Sequence, residues 1–149
     1  MRAIIFCALA VSASSCLTYQ APARFLVVDK GGGEIKAITP EESKLWVRSF
    51  SDADHGGLAF WADALRADLK TNRGYMIVSE ADVKDADGNA GKEIVLESTV
   101  NGQPVRELLA VFVHPGWMSD SLRVLEYVAP KAAFDKEVDG VRASEASLK

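Results

Sequence analysis

The sequence predicts an α+β fold: an antiparallel sheet of about five to six strands, with one long helix and a short C-terminal helix packed on it. Three observations predict it. Apolar residues recur at spacings of three and four from Leu58 to Leu69, the period of a helix face. From Tyr75 the period falls to two, and turn residues separate the runs. The strand runs also follow one another without intervening helices, which favours a meander over a parallel doubly wound sheet.

Taken in order, Phe25 to Asp29 (FLVVD) is an apolar strand run closed by Lys30 and Gly31-Gly32-Gly33, and Glu34 to Ile38 continues the sheet after that break. Thr39-Pro40-Glu41-Glu42 makes a turn. Ser43 to Phe50 alternates, with Leu45 and Val47 on one face and Trp46, Arg48 and Phe50 on the other. The long helix spans Leu58 to Asn72, with the stripe Leu58, Trp61, Ala62, Leu65 and Leu69 turned to the core. Asp54 is its expected N-cap and Gly74 its stop. Tyr75 to Val83 and Glu93 to Val100 are strands separated by Asp85-Ala86-Asp87-Gly88-Asn89. Asn101-Gly102 is a two-residue hairpin signal, because both residues accept positive φ. Val105 to His114 and Leu122 to Val128 complete the strands. Pro130 opens a short helix, Lys131 to Val138, ending near Gly140.

At 149 residues the chain suits one domain, and its 48% hydrophobic and 26% charged composition is that of a globular protein. The formal charge is −4. A nucleic-acid partner needs a basic face to neutralise phosphates, and no basic stripe is present. The same acidity leaves no polybasic route to an anionic membrane.

A membrane link comes instead from the first residues. Met1-Arg2 is a positive start, Ala3 to Val11 (AIIFCALAV) is an apolar run, and Ser12-Ala13-Ser14-Ser15 are small. This is the order of a secretory signal peptide. As a helix the apolar run spans about 14 Å, against the roughly 30 Å of a bilayer core. Ala13-Ser14-Ser15-Cys16 resembles the lipobox of bacterial lipoproteins, with Ala13 where that pattern usually has Leu. The resemblance implies cleavage between Ser15 and Cys16 and a lipid on Cys16. The alternative is an ordinary secretory leader that leaves Cys16 a free thiol. The division is therefore a signal peptide over 1–15, a lipidated start and short tether over 16–24, and a single domain over 25–149. Leu17 after the cysteine is compatible with outer-membrane sorting, the periplasmic face being favoured over the inner membrane.

The segments FWADALRADLKTNRGYMIV, GKEIVLESTVNGQPVRELLAVFV and LRVLEYVAPKAAFDKEVDGVRASEASL resemble the PsbP-like family. That resemblance implies a PsbP-like α/β sandwich. It also implies a non-enzymatic accessory or binding role, several bacterial members being lipoproteins.

Candidate sites are few. Asp85 to Gly91 begins like a calcium loop, but Ala90 and Leu96 stand where the turn glycine and bidentate Glu are required, so it reads as a hairpin turn. Asp52, Asp54 and His55 form the candidate acid–base or metal cluster, against a capping role for Asp54. Gly31-Gly32-Gly33 and Gly56-Gly57 lack the context of a phosphate loop, and no cofactor motif is present. His114, Trp117 and Met118 surround a Pro-Gly turn, either as an exposed apolar tip for a partner or with Trp117 folded back over the sheet edge. Trp46 and Arg48 are the other candidate partner contact, or a cation–π pair shielding a half-open sheet. The expectation is a lipid-anchored, non-catalytic envelope domain that binds a protein partner. The alternatives are a small-ligand carrier or an enzyme built on Asp52, Asp54 and His55.

Overall fold

The computed structural model describes residues 17–52 and 54–149. The leader, Ser15 and Cys16 lie outside the described residues. Seven strands form one antiparallel sheet: β1 Leu26–Gly31, β2 Glu34–Ile38, β3 Lys44–Asp52, β4 Met76–Lys84, β5 Ala90–Val100, β6 Gln103–His114 and β7 Asp120–Pro130. Their order is β1-β2-β3-β7-β6-β5-β4. Helices α1, Gly57–Ala67, and α2, Lys131–Glu145, cover opposite faces of the sheet.

This corrects the expected α+β architecture of five to six strands with one long helix. The fold is mostly sheet, and both helices are short. The triple glycine is a chain reversal: Gly32 and Gly33 sit at φ 58° and 82° and turn the chain into a hairpin, so β1 and β2 are paired antiparallel strands. The expected long helix stays α-helical for 11 residues, and Asp68–Asn72 widens into a π turn closed by Arg73 N–H donating to the Asp68 carbonyl. The π turn carries Leu69 onto the sheet before Gly74, at φ 68°, ends the segment. The C-terminal helix is the longer one, 15 residues, running through Gly140. A helical glycine costs about 1 kcal/mol. Phe134 and Val141, buried on either side of it, offset that cost through packing.

The core forms on both faces because strand residues alternate. On the α2 face, Ile35, Ala37, Leu45, Val47, Val95, Leu108, Phe112, Leu125 and Tyr127 pack against Phe134, Val141 and Leu148. Each fully buried aliphatic or aromatic side chain stabilises the fold by roughly 1.5–3 kcal/mol. Tyr127 stacks on Phe134 at 5.2 Å, and its hydroxyl donates to Glu137 at 2.8 Å. Ser43 Oγ donates to the same carboxylate at 2.7 Å. On the α1 face, Ala62 and Leu69 pack on Ile94, Leu96, Leu109, Val111, Leu122 and Val124.

The stretch read from the sequence as a tether packs into the domain. Leu17, Tyr19 and Phe25 are buried in the α2-side core. Thr18 and Lys149 exchange backbone hydrogen bonds of 3.0 and 2.9 Å, and the Tyr19 hydroxyl lies 2.5 Å from Ser144 Oγ. Asn101 and Gly102, at φ 51° and 77°, make the expected hairpin turn. The edge strands β1 and β4 each carry a bulge and charged side chains, which discourage further pairing.

Gly91 shows how closely β5 and β6 approach. A Cβ there would lie 2.4 Å from Phe112 Cδ1 and 2.8 Å from the Val111 carbonyl oxygen. Gly91→Ala should therefore lower the urea unfolding free energy by roughly 1–3 kcal/mol. Gly31→Ala, with nothing within 4 Å, should change it by less than about 0.5 kcal/mol.

Candidate functional site

Alternation places Glu34, Lys36, Trp46, Arg48, Phe50 and Glu126 on the α1 face. Helix α1 packs over β5, β6 and the start of β7, which leaves β2, β3 and the middle of β7 uncovered. There Arg48 lies over the Trp46 ring at 3.9 Å and over Phe50 at 5.4 Å. Its Nη2 donates to Glu126 at 2.9 Å. Lys36 Nζ sits 4.9 Å from the same indole, and Trp46 Nε1 donates to Glu34 at 3.2 Å. A stacked guanidinium of this kind contributes about 0.5–2 kcal/mol, so the patch is ordered before any partner arrives. Behind it, Glu107 is pushed up to about 7 by burial and by the neighbouring Glu126 charge, with Arg73 opposing.

The second feature is the end of the sheet where the β1–β2, β4–β5 and β6–β7 turns meet. Trp117 is 94% exposed and Met118 75%, so the tip stands out from the sheet and Trp117 does not fold back. His114 behaves differently. It is buried, with Nε2 against Asp85 Oδ2 at 2.5 Å, oblique to an ideal hydrogen bond, and Nδ1 3.3 Å from Asn89 Nδ2. Asp85 also accepts from the Asp87 and Asn89 backbone N–H groups, both at 2.9 Å. Its oxygens therefore serve the turn and His114. Burial and the nearby Arg123 charge hold the imidazole below its ordinary value, with Asp85 and Asp87 opposing. The ring is thus turned toward the β4–β5 turn, with Nε2 beside Asp85 but without a hydrogen-bond partner among the described residues.

Between this tip and β3 lies an open cleft of about 630 Å³, lined by Phe50, Ser51, Trp117, Met118, Asp120 and Arg123 among others. Arg123 is only 7% exposed, and its Nε and Nη1 have no hydrogen-bond partner among the described residues. Burial lowers its pKa, against the charges of Asp85 and Asp87.

The Asp52, Asp54 and His55 cluster does not form. Asp52 is fully buried, and its carboxylate accepts from Gly56 N–H at 3.1 Å, Gly57 N–H at 3.2 Å and Trp61 Nε1 at 3.0 Å. Burial pushes this carboxyl up, but those three donors outweigh it and hold the group below the usual range. Asp52, not Asp54, thus supports the start of α1, and the indole expected in the core stripe is half-buried because it reaches this carboxylate. Asp54 and His55 are exposed.

Arg123 was legible only as an arginine sharing the alternation of Leu125, Tyr127 and Ala129. Glu93 and Glu145 hide in the same way on the α2 face. Glu93 is held by Arg142 at 2.8 Å, while burial and the Glu93 charge push Glu145 up to about 8.

No family model and no curated protein matches the chain. Solved structures do. The chain is similar to LpqN of Mycobacterium tuberculosis, described as involved in cell envelope biogenesis, with a TM-score of 0.69 and 11% identity over 89% of this chain and 82% of that one. It is also similar to the Saccharomyces cerevisiae Ran-binding protein Mog1p, with a TM-score of 0.56 and 12% identity over 86% and 79% of the two chains. A Pseudomonas aeruginosa protein of unknown function gives a TM-score of 0.54 at 11% identity, over 88% and 85%. At these identities the likeness is one of fold.

Two outcomes follow from the electrostatics. Asp52→Ala should lower the thermal midpoint and loosen α1 in hydrogen exchange, whereas Asp54→Ala should leave both unchanged. Glu107 and Glu145 are raised in the folded state from 4.5. Their contribution is complete below about pH 4.5 and is lost as pH rises through about 7 and 8. Urea titrations should show stability falling by ~2 kcal/mol or more between about pH 5 and 8.5, and Glu145→Gln should flatten the upper part. The depressed His114 acts on the other side, its contribution present above about 6.5 and lost as pH falls through its lower folded value.

Proposed function

We propose that this chain is a non-catalytic cell-envelope protein whose domain binds a protein partner through the open half of its sheet. The observation that carries this reading is the uncovered β2–β3–β7 face, where Arg48 lies over the Trp46 ring with Lys36 close to the same indole. Aromatic residues and arginine are the usual anchors of protein interfaces, and a guanidinium already stacked loses little freedom on docking. The fold it shares with LpqN, described in cell envelope biogenesis, and with the Ran-binding Mog1p supports the reading. The carboxylate of Asp52 is taken up by Gly56, Gly57 and Trp61, which argues against the alternative of an enzyme built on Asp52, Asp54 and His55.

The leader over 1–15 and a lipid on Cys16 would bring the domain to the envelope, with the outer membrane favoured by Leu17. Because Leu17 and Tyr19 are buried in the core, such a lipid would hold the domain directly against the bilayer, with no slack chain between.

Crosslinking of the tagged chain in its native membrane should capture a defined envelope protein. Trp46→Ala and Arg48→Glu should each reduce that capture about tenfold or more while leaving the unfolding midpoint within a few degrees. Capture unaffected by both substitutions would overturn the assignment of this face. Cys16→Ser should move the chain out of the membrane fraction.

A further inference from the structure

The loop end of the sheet lies where the chain enters the domain. Thr18 pairs with Lys149, the Ala86 N–H donates to the Leu148 carbonyl at 3.3 Å, and the neighbouring Asp85 touches His114 at the base of the Trp117 loop. Whatever precedes Leu17 therefore emerges at the end of the sheet that carries the cleft and the exposed tip.

We propose that this end is the membrane-facing end of the domain, with Trp117 and Met118 seated in the bilayer interface and a zwitterionic phospholipid headgroup in the Arg123 cleft. The proposal rests on the membrane-anchored reading of Cys16. Two observations carry it. Trp117 and Met118 are the most exposed large apolar side chains among the described residues. Indole is favoured at the headgroup level, where its ring meets acyl chains and its N–H meets water. Beneath them Arg123 lines the cleft, and its buried Nε and Nη1 donors have no acceptor among the described residues. A buried donor without a partner is costly, and a phosphate oxygen drawn onto the guanidinium would supply a charge-assisted acceptor.

The charge around the cleft selects the headgroup. Asp120 lines it, and Asp85 and Asp87 lie close enough to act on Arg123. A plain anion would meet these carboxylates as well as the guanidinium. A headgroup carrying both phosphate and ammonium satisfies both signs, so phosphatidylethanolamine fits and an anionic lipid does not. The Ser51 and Ser119 hydroxyls, 3.4 Å apart, supply further polar contacts on the cleft wall.

The test uses the full chain reconstituted in vesicles of phosphatidylcholine and phosphatidylethanolamine. Lipids brominated on the acyl chains should quench part of the tryptophan fluorescence, and Trp117→Phe, an exposed substitution that spares the fold, should remove that part. Association with the vesicles but no quenching assignable to Trp117 overturns this proposal alone. Failure to associate overturns the anchored reading and this proposal with it. In detergent, glycerophosphoethanolamine should give a saturable shift of the Arg123 Nε–H resonance in the wild-type chain, and inorganic phosphate should not. An equal shift with inorganic phosphate would mark a free-phosphate site and overturn the lipid assignment. No shift with either probe overturns the headgroup site.

Discussion

The pairing of β3 with β7 is the constraint on which the rest of the molecule depends. Lys44–Asp52 lies against Asp120–Val128 in unbroken antiparallel register. Without this seam the chain would be two separate meanders, β1-β2-β3 and β4-β5-β6-β7, each with one face unsupported. The seam sets Leu45 beside Tyr127 and Val47 beside Leu125 in the core, and Trp46 beside Glu126 on the open face. A slip of one residue would exchange the two sets. Such a slip would bury Arg48 and expose Val47, so the register is strongly enforced.

Helix α2 then locks the seam from one side. Glu137 accepts from Ser43, just before β3, and from Tyr127 in β7, so one buried carboxylate spans both strands. The N-terminal residues Leu17, Tyr19 and Phe25 close the same core, and the pairing of Thr18 with Lys149 joins the two ends of the described chain. The closing contacts join residues far apart in sequence, which predicts slow folding relative to a helical domain of this size. On the other side α1 is shorter than the sheet is wide. That shortfall leaves the Trp46 patch open.

The result is a domain with two differently built surfaces. The open face presents preordered aromatic and charged side chains in a flat array, suited to another protein. The loop end presents a protruding apolar tip over a cleft with an unsatisfied guanidinium, at the end where the N-terminal segment enters. Asp52 is spent on the start of α1, and His114 is buried against the β4–β5 turn.

Much of the local structure was legible in the sequence. Apolar runs and turn residues mark strand segments, though they predict about five to six strands where the sheet has seven, and alternation sets Leu45 and Val47 on the face opposite Trp46, Arg48 and Phe50. The Asn101-Gly102 turn and the stripe from Leu58 to Leu69 follow from φ preferences and helical period, which are properties of neighbouring residues. What tertiary structure alone decided was how far and against what these segments run. The C-terminal helix outlasted Gly140 because Phe134 and Val141 are buried on either side of it, and Leu17 and Tyr19 became core because α2 and the sheet left space for them. Asp52 replaced Asp54 at α1, and Arg123 was left without an acceptor, for the same reason. A polar group's role depends on which donors and acceptors reach it across the fold, and no local pattern encodes that distance.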